Sequence, residues 1–369
     1  MKILFVVTGI GLGHATRIDA IINQLKLKDK KLEVELACYK SSYEYFSRKN
    51  LKTIKLNGSN YSSKTFNINI FNIVRLNLKF PLNFRRDLKL ITDEIKQFNP
   101  EYVVVDWDVI GLIAAARTKK KSILIFNYDP YSLENFIKKF KMNGAKKIQN
   151  KFIESIYRIA ENKSDAIFIP GLKKQTKGKY YFIDFIIRDI PENIEDEEKL
   201  MNKLKLKKKP ILVMLGGSNF GYSLLDKMKE VMLKIKDEDF IIFGYEKDFN
   251  IKNITCYKFK ENYLEYLKVS KGVIMMAGHS SFAEAAIFKK PCLVFPIRNH
   301  VEQMLNAYTI ENTGIGIVRF LDSINKDSLN KDIINFLNNL ERLQSKADKL
   351  KVKSDGANQV ADFLLKKSK

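Results

Sequence analysis

The sequence predicts an α/β fold with two parallel sheets, each covered by helices on both faces. Three observations support this fold class. The chain has 369 residues, 45% of them hydrophobic, which is enough for two domains with cores of their own. Short apolar runs alternate with longer segments of helical pattern, as in sheets that are buried on both faces. A polar, charge-dense stretch at residues 188–198 separates an earlier group of runs from a later one.

The apolar runs are the predicted strands, five for the first sheet and four for the second. They are Ile3–Val7, Val34–Ala37, Tyr102–Val105, Ile123–Phe126, Ala166–Ile169, Ile211–Leu215, Phe240–Phe243, Val273–Met276 and Cys292–Phe295. We therefore expect a first domain at 1–188, a linker at 189–208 and a second domain at 209–345. The helical tail at 346–369 is expected to pack back on the first domain.

A glycine-rich turn, Gly9-Ile10-Gly11-Leu12-Gly13-His14-Ala15-Thr16-Arg17, follows the first predicted strand. It does not fit a dinucleotide-binding loop, because His14 follows the third glycine at once and no acidic residue closes the next strand. At the start of a helix, the dipole favours a neutral imidazole, so His14 is a candidate general base. A purely structural histidine is the alternative interpretation.

A general base of this kind needs a carboxylate to orient it. Asp106 is the candidate, since the apolar strand before it delivers this residue to the carboxyl edge of the sheet. Asp106-Trp107-Asp108 also spells a metal-binding triplet. Hard cations need several converging oxygens, so we predict no metal here and expect Asp108 to cap the next helix.

The second predicted domain contains two small-residue turns. The strand ending at Met276 runs into Gly278 and a helix, an arrangement that offers backbone N–H groups and a positive dipole end to a phosphate. One turn further, Glu284 can accept hydrogen bonds from a ribose diol. The turn Gly216–Asn219 allows close backbone approach to a diphosphate. Ordinary helix capping is the structural alternative for the first turn.

Together these motifs resemble those of the two-domain GT-B glycosyltransferases. The pattern Gly-x-x-Ser-x-x-Glu, then Lys-Pro, then Glu-Gln-x-x-Asn-Ala occupies 278–307. A Gly-Gly-Ser turn at 216–218 and a Gly-x-Gly-His-x-x-Arg turn at 11–17 complete it. The resemblance is closest to the peptidoglycan N-acetylglucosaminyltransferase, the macrolide glycosyltransferases and the plant UDP-glycosyltransferases. It implies two Rossmann-like domains with the active site in the inter-domain cleft.

The resemblance also implies an activity: inverting, metal-independent transfer of a hexose or N-acetylhexosamine from a UDP-sugar, with no cofactor. His14 and Asp106 would be catalytic, and Gly11, Gly13 and Arg17 would form an acceptor or phosphate loop. The implied donor-binding residues are Gly216, Gly217, Ser218, Asn219, Phe259, Lys260, Gly278, His279, Ser280, Ser281, Glu284, Glu302 and Gln303. The chain departs from the plant enzymes at Met276, where they have a histidine, and His279 is expected to substitute for it.

The net charge of +23 has two interpretations. Lysine spread among acidic residues is typical of hyperthermophile proteins. The basic, apolar segment Phe66–Arg86 could instead lie on an anionic membrane or hold a lipid-linked acceptor such as a glycolipid or polyprenyl carrier. A core helix followed by a solvated loop is the alternative for this segment. We predict no nucleic-acid partner, since no module for one is present.

The sequence further predicts a cytoplasmic protein that associates peripherally with the membrane. It has no signal peptide and no apolar run of about 18 residues, and its three cysteines show no metal spacing. Three other functions remain open: a nucleotide-sugar hydrolase of the nonulosonic-acid pathway type, a UDP-N-acetylglucosamine 2-epimerase, and a UDP-sugar-binding subunit without catalysis. The acceptor has no recognisable sequence motif.

Overall fold

The computed structural model describes residues 1–59, 75, 77–139, 144–173, 175–215, 221–297, 299–320 and 325–366. These residues divide into two compact units. The first unit comprises the described residues of 1–188 together with 353–366. The second unit comprises those of 189–352.

The strands of the described residues form two sheets. In chain order they are β1 Lys2–Val7, β2 Glu33–Cys38, β3 Lys52–Lys55, β4 Tyr102–Asp106, β5 Lys121–Ile125, β6 Ala166–Pro170, β7 Gln175–Lys177, β8 Tyr180–Ile183, β9 Ile211–Met214, β10 Phe240–Phe243, β11 Phe249–Ile251, β12 Ile254–Tyr257, β13 Gly272–Met275, β14 Cys292–Val294 and β15 Gly316–Val318.

Helices cover both sheets. In chain order they are α1 Leu12–Lys28, α2 Lys40–Ser47, α3 Phe80–Phe98, α4 Ile110–Arg117, α5 Pro130–Lys139, α6 Gly144–Lys163, α7 Glu197–Lys203, α8 Tyr222–Met232, α9 Tyr263–Val269, α10 His279–Ile287, α11 Val301–Thr313, α12 Lys326–Asn338, α13 Leu340–Lys349 and α14 Gly356–Lys366. The prediction of two Rossmann-like α/β sheets is confirmed, and each predicted apolar run overlaps an observed strand.

The first sheet has the strand order β3-β2-β1-β4-β5-β6-β8-β7, and only the β7–β8 hairpin is antiparallel. Its central strands are fully buried, which explains why they read as continuous apolar runs. The order reverses between β1 and β4, where Val7 pairs with Asp106. Loops that follow such a pair of strands meet at the carboxyl edge, where open α/β sheets bind ligands.

The second sheet also contains a reversal of strand order, in the order β11-β12-β10-β9-β13-β14-β15. Here the reversal lies between β9 and β13, with Met214 beside Met275. The edge strands β3, β7, β11 and β15 were not predicted. They are three or four residues long, too short to show a hydrophobic period of their own.

The C-terminal helix α14 belongs to the first unit. Asp184 and Gln359 exchange two hydrogen bonds of 3.0 Å, one through the backbone N–H of Asp184 and one through its carboxylate. Phe363 packs edge-on against Phe168, with ring centroids 5.1 Å apart. Gly356 lies so close to the chain that a Cβ there would be 2.1 Å from the carbonyl oxygen of Asp184. These contacts attach the end of the chain to β6 and the segment after β8.

Among the described residues, no helix combines the length and the apolar character required to cross a bilayer. The predicted segment Phe66–Arg86 is described at residue 75 and from residue 77 onward. Its remaining residues lie outside the described ranges.

Gly356→Ala should destabilise the first unit, because the new methyl group would overlap the Asp184 carbonyl. Overpacking of this kind typically costs about 1–3 kcal/mol. Gly171→Ala is the matched control, since a Cβ at Gly171 meets no atom within 4 Å. Thermal unfolding followed by circular dichroism should show a lower midpoint for Gly356→Ala alone. Equal midpoints for the two variants would mean that α14 is not held as tightly as described.

Candidate active site

The turn between β1 and α1 is shaped by two glycines. A Cβ at Gly9 would lie 2.0 Å from the carbonyl oxygen of Tyr39, so only glycine allows this approach. Gly11 has a φ of +83°, a left-handed value that favours glycine. Ser41 and Ser42 donate hydrogen bonds to the carbonyl groups of Gly9 and Thr8. The turn is thereby fixed, and α1 begins at Leu12.

His14 and Asp106 are hydrogen-bonded, as predicted. The distance between Nδ1 of His14 and Oδ1 of Asp106 is 2.8 Å. The Asp106 side chain is fully buried, whereas 14% of the His14 side chain is exposed. An ionised carboxylate only accepts hydrogen bonds, so Nδ1 carries the hydrogen in the neutral ring. The other nitrogen, Nε2, then has a lone pair with which to accept a proton.

Arg17, predicted to belong to an acceptor or phosphate loop, has a buried side chain with 2% exposed. Nε donates to Oδ2 of Asp106 over 2.9 Å, and Nη2 donates to Oδ1 of the same carboxylate. Nη1 donates to the side-chain oxygen of Asn127. The distant Asp106 therefore binds the guanidinium in a bidentate manner, a partnership 89 residues apart in sequence that no local motif reveals.

Opposing effects set the ionisation of Asp106. Burial by itself would raise the pKa of this carboxyl group. The positive charge of Arg17, the interaction with His14 and the hydrogen bonds from both outweigh burial and leave the pKa of Asp106 below its ordinary value. The carboxylate therefore stays ionised near neutral pH, which the hydrogen bond to His14 requires.

The backbone after Asp106 forms a tight turn. Trp107 has a φ of +67°, and the N–H of Asp108 donates to the carbonyl oxygen of Asp106 over 2.8 Å. This is the rarer, more strained kind of γ-turn. The Trp107 ring packs on Phe126 and Phe152, with centroids 5.8 and 6.2 Å away. Strained backbone persists where surrounding contacts enforce it, often at functional sites.

Asp108 was expected to be the N-cap residue of α4, but Val109 occupies that position and Asp108 bonds the helix from one residue earlier. Its Oδ1 accepts a hydrogen bond from the N–H of Ile110, the first residue of α4. Burial raises the pKa of Asp108 to about 6, and the negative charge of Asp87 adds to the shift, against the hydrogen bond from Ile110. Within the described ranges, no group of three or more His, Cys, Asp or Glu residues is arranged to hold a metal ion.

The predicted phosphate-binding residues of the second unit lie at the N-terminus of α10. Gly278 is the N-cap residue of α10, and as a glycine it has no side chain with which to cap the helix. Ser280 and Glu284 share one helix face because they are four residues apart. Ser281 donates a hydrogen bond to Sδ of Met214 at the end of β9, over 3.5 Å. The carboxyl edges of β9 and β13 thus come together here.

Two side chains of the motif at 302–307 hold backbone in place. Asn306, buried at 6% exposure, donates from Nδ2 to the carbonyl oxygen of Ala277 over 2.9 Å. It thereby fixes the turn just before Gly278, a role that was not predicted. Gln303, expected to bind the sugar, accepts a hydrogen bond from the N–H of Ile297 at Oε1 over 2.9 Å. Its side-chain amide nitrogen is the part left to contact a ligand.

The remaining residues predicted to bind the donor lie on α10, on α11 and after β12. Glu302 is half-buried in the first turn of α11, and His279 and Glu284 are buried on α10. Phe259 and Lys260 follow β12, with Phe259 48% exposed and Nζ of Lys260 4.7 Å from the Tyr257 ring centroid. The predicted diphosphate turn Gly216–Asn219 lies outside the described residues.

Lys290, from the Lys-Pro motif, is a buried cation bound to backbone carbonyls. Nζ donates to the carbonyl oxygens of Lys268 and Ser270 over 2.7 and 2.9 Å, where α9 ends. Burial lowers the pKa of Lys290 to about 8, partly opposed by the charge of Glu197. The residue thus supports the second unit rather than the ligand surface.

Comparison with known proteins identifies relatives over both units. Residues 1–189, just over half of the chain, match the family model "Glycosyl transferase family 1". Residues 211–360 match "Glycosyltransferase family 28 C-terminal domain". An "Uncharacterized glycosyltransferase" of Methanosarcina acetivorans is 27% identical over 344 residues, which cover 86% of this chain and 85% of the relative.

Two further proteins extend the comparison. The UDP-N-acetylglucosamine–N-acetylmuramyl-(pentapeptide) pyrophosphoryl-undecaprenol N-acetylglucosamine transferase of Thermosipho melanesiensis is 23% identical, covering 83% of this chain and 84% of its own length. The solved structure "Spinosyn Rhamnosyltransferase SpnG complexed with thymidine diphosphate" has a TM-score of 0.64 at 13% identity, with full coverage of both chains. The structural likeness shows the shared GT-B fold.

Lys290→Met should change how stability depends on pH. Lys290 has a folded-state pKa of about 8 against an ordinary 10.5, so the wild type carries a folding penalty below pH 8 that is lost as the pH rises toward 10.5. Between pH 8 and 10, the wild type should gain roughly 2–3 kcal/mol of unfolding free energy relative to the variant. Urea unfolding at each pH measures this gain, with the exposed Lys207→Met as control. A constant difference between wild type and Lys290→Met would contradict the burial of this charge.

Proposed function

The chain belongs to glycosyl transferase family 1, and we propose that it moves a hexose or N-acetylhexosamine from a UDP-sugar to an acceptor hydroxyl, with inversion and without a metal. The single observation that carries this proposal is the His14–Asp106 pair at the carboxyl edge of the first sheet. Its 2.8 Å hydrogen bond leaves Nε2 as the basic nitrogen on a partly exposed ring. This is the arrangement that a general base requires.

The proposed reaction is one displacement at the anomeric carbon. The acceptor oxygen forms a bond to that carbon while the bond from the carbon to the β-phosphate oxygen breaks. UDP departs with the electron pair, and the proton of the acceptor hydroxyl passes to Nε2 of His14. Asp106 then stabilises the imidazolium, as the buried carboxylate does in a serine protease triad.

The donor is assigned to the second unit. The N-terminus of α10 suits the diphosphate, because the helix dipole there favours the negative charge that develops on the departing group. Glu284 is assigned to the ribose hydroxyls, and the amide nitrogen of Gln303 to the sugar. The name of the Thermosipho relative includes UDP-N-acetylglucosamine, and the spinosyn enzyme was solved with thymidine diphosphate. Both support a nucleoside diphosphate sugar as the donor.

An amphiphilic acceptor fits the surface of α3. Phe80 and Leu82 are 41% and 49% exposed, and the exposed cations Arg85 and Arg86 follow on the same helix. Apolar side chains beside cations suit a lipid-linked acceptor with an anionic headgroup, or an anionic membrane surface that carries it. The undecaprenol-linked acceptor in the name of the Thermosipho relative supports this assignment.

Glu284→Ala should weaken UDP binding by roughly 1–3 kcal/mol, because the ribose hydroxyls lose a buried hydrogen-bond acceptor. Isothermal titration calorimetry with UDP measures the change. Glu198→Ala, which removes an exposed carboxylate from the same unit, should leave the affinity as it is. Equal UDP affinity for wild type and Glu284→Ala would exclude Glu284 from the donor site.

His14→Ala should lower turnover by about 10²–10⁴-fold, the usual contribution of a general base, while UDP affinity stays nearly constant. Nucleotide release is followed with UDP-sugars, with and without a glycolipid or polyprenyl-phosphate extract as acceptor. Asp106→Asn should cost less, since the imidazole remains. Full turnover in His14→Ala would contradict the assignment of the base. Release that is equally fast without any acceptor would indicate a hydrolase.

A further inference from the structure

We propose that Arg17 is a positioning residue, whose charge keeps the His14–Asp106 pair in the state in which Nε2 of His14 can accept a proton. This inference rests on the proposed role of His14 as the base. It gives Arg17 a function distinct from the ligand contacts that its place in a glycine-rich loop suggests. The inference rests on the charge balance among Arg17, Asp106 and His14.

The side chains of His14, Asp106 and Arg17 are in direct contact with one another. His14 and Arg17 are three residues apart on α1 and therefore share a face of the helix. Both contact the same carboxylate, His14 at Oδ1 and Arg17 at both oxygens. Nη2 of Arg17 also lies 3.2 Å from Nδ1 of His14. The bond from Nη1 to Asn127 prevents the guanidinium from turning away.

The consequence follows from counting charges. With Arg17 present, the Asp106–Arg17 pair is neutral, and a proton on His14 would add an uncompensated positive charge beside a guanidinium. Without Arg17, the buried carboxylate would require a counterion of its own. The His14–Asp106 pair would then take up one proton at higher pH. Whether that proton is assigned to the carboxyl or to the ring, Nε2 carries a hydrogen and the base is blocked.

Other charged groups on α1 and on the neighbouring elements have partners of their own. On α1, Asp19 accepts from Tyr45 of α2 and from Lys49, which follows α2, and Lys28 pairs with Asp362 of α14. After β4, Asp108 binds Ile110, while Asp87 of α3 binds the backbone at Asn57 and Gly58. Among the contacts described for the carboxylate of Asp106, the charged partners are Arg17 and His14.

The test is a pH titration of the His14 ring C–H signals by NMR on the full chain. The chain has three histidines, so His14→Ala assigns the signal. Arg17→Gln removes the charge and Arg17→Lys retains it. Arg117→Gln removes a charge from the exposed end of α4 as the matched control.

We expect the titration midpoint in Arg17→Gln to rise by about 1–3 pH units, the usual effect of an unbalanced opposite charge at this distance. Arg17→Lys should move it much less, and Arg117→Gln should not move it. A midpoint in folded Arg17→Gln that equals the wild-type value would overturn the proposal. If Arg17→Gln does not fold, Asp106→Asn decides, since it leaves the Arg17 charge unopposed and should lower the midpoint. An unchanged or higher midpoint there would also overturn the proposal.

The pH profile of kcat/KM separates this inference from the proposed function. If both are right, the acid limb for Arg17→Gln moves upward with the NMR midpoint, and activity recovers at high pH. A purely structural role for Arg17 would lower the rate at every pH without moving the limb, and would overturn the inference. A shifted NMR midpoint with an unshifted acid limb would support the role of Arg17 in setting the charge while contradicting His14 as the base.

Discussion

The negative charge buried at the end of β4 is the constraint on which the rest of the first unit depends. Asp106 has no exposure to water, so its carboxylate must be balanced by protein groups, since a lone buried charge would cost several kcal/mol. Arg17 and His14 supply that balance from one face of α1. Their positions require α1 to begin at Leu12, which in turn requires the turn at Gly9 and Gly11. The strained backbone at Trp107 directly follows Asp106 in the chain.

In the second unit, uncharged side chains fix the backbone around the predicted donor site. The turn before α10 is held by side chains from outside that helix. Asn306 holds the carbonyl of Ala277, and Gln303 holds the N–H of Ile297. Part of the Glu-Gln-x-x-Asn-Ala motif therefore fixes backbone around the site. In the first sheet the strand order reverses between β1 and β4, so the loops that follow these two strands meet at one edge.

The two sheets could be predicted because parallel strands buried on both faces leave an unbroken apolar run, as in β4 and β6. Short edge strands such as β15 leave no such run. The pairing of His14 with Asp106 was also predictable, since each follows a strand that ends at the same sheet edge. The burial of Arg17 was not predictable, because a cation in a glycine-rich loop resembles an anion ligand, and its partners lie 89 and 110 positions away in sequence. The backbone contact of Asn306 likewise required three-dimensional information.

The central claim is that Asp106 fixes His14 with its hydrogen on Nδ1 and leaves Nε2 as the basic nitrogen. The ¹⁵N chemical shifts of the two ring nitrogens are the direct test of this tautomer. They are measured on the full chain with labelled histidine, at a pH high enough for the His14 ring to be neutral. We expect a protonated, pyrrole-type Nδ1 and an unprotonated, pyridine-type Nε2 for His14. A pyridine-type Nδ1 with the hydrogen on Nε2 would contradict the hydrogen bond to Asp106 and the assignment of His14 as the base.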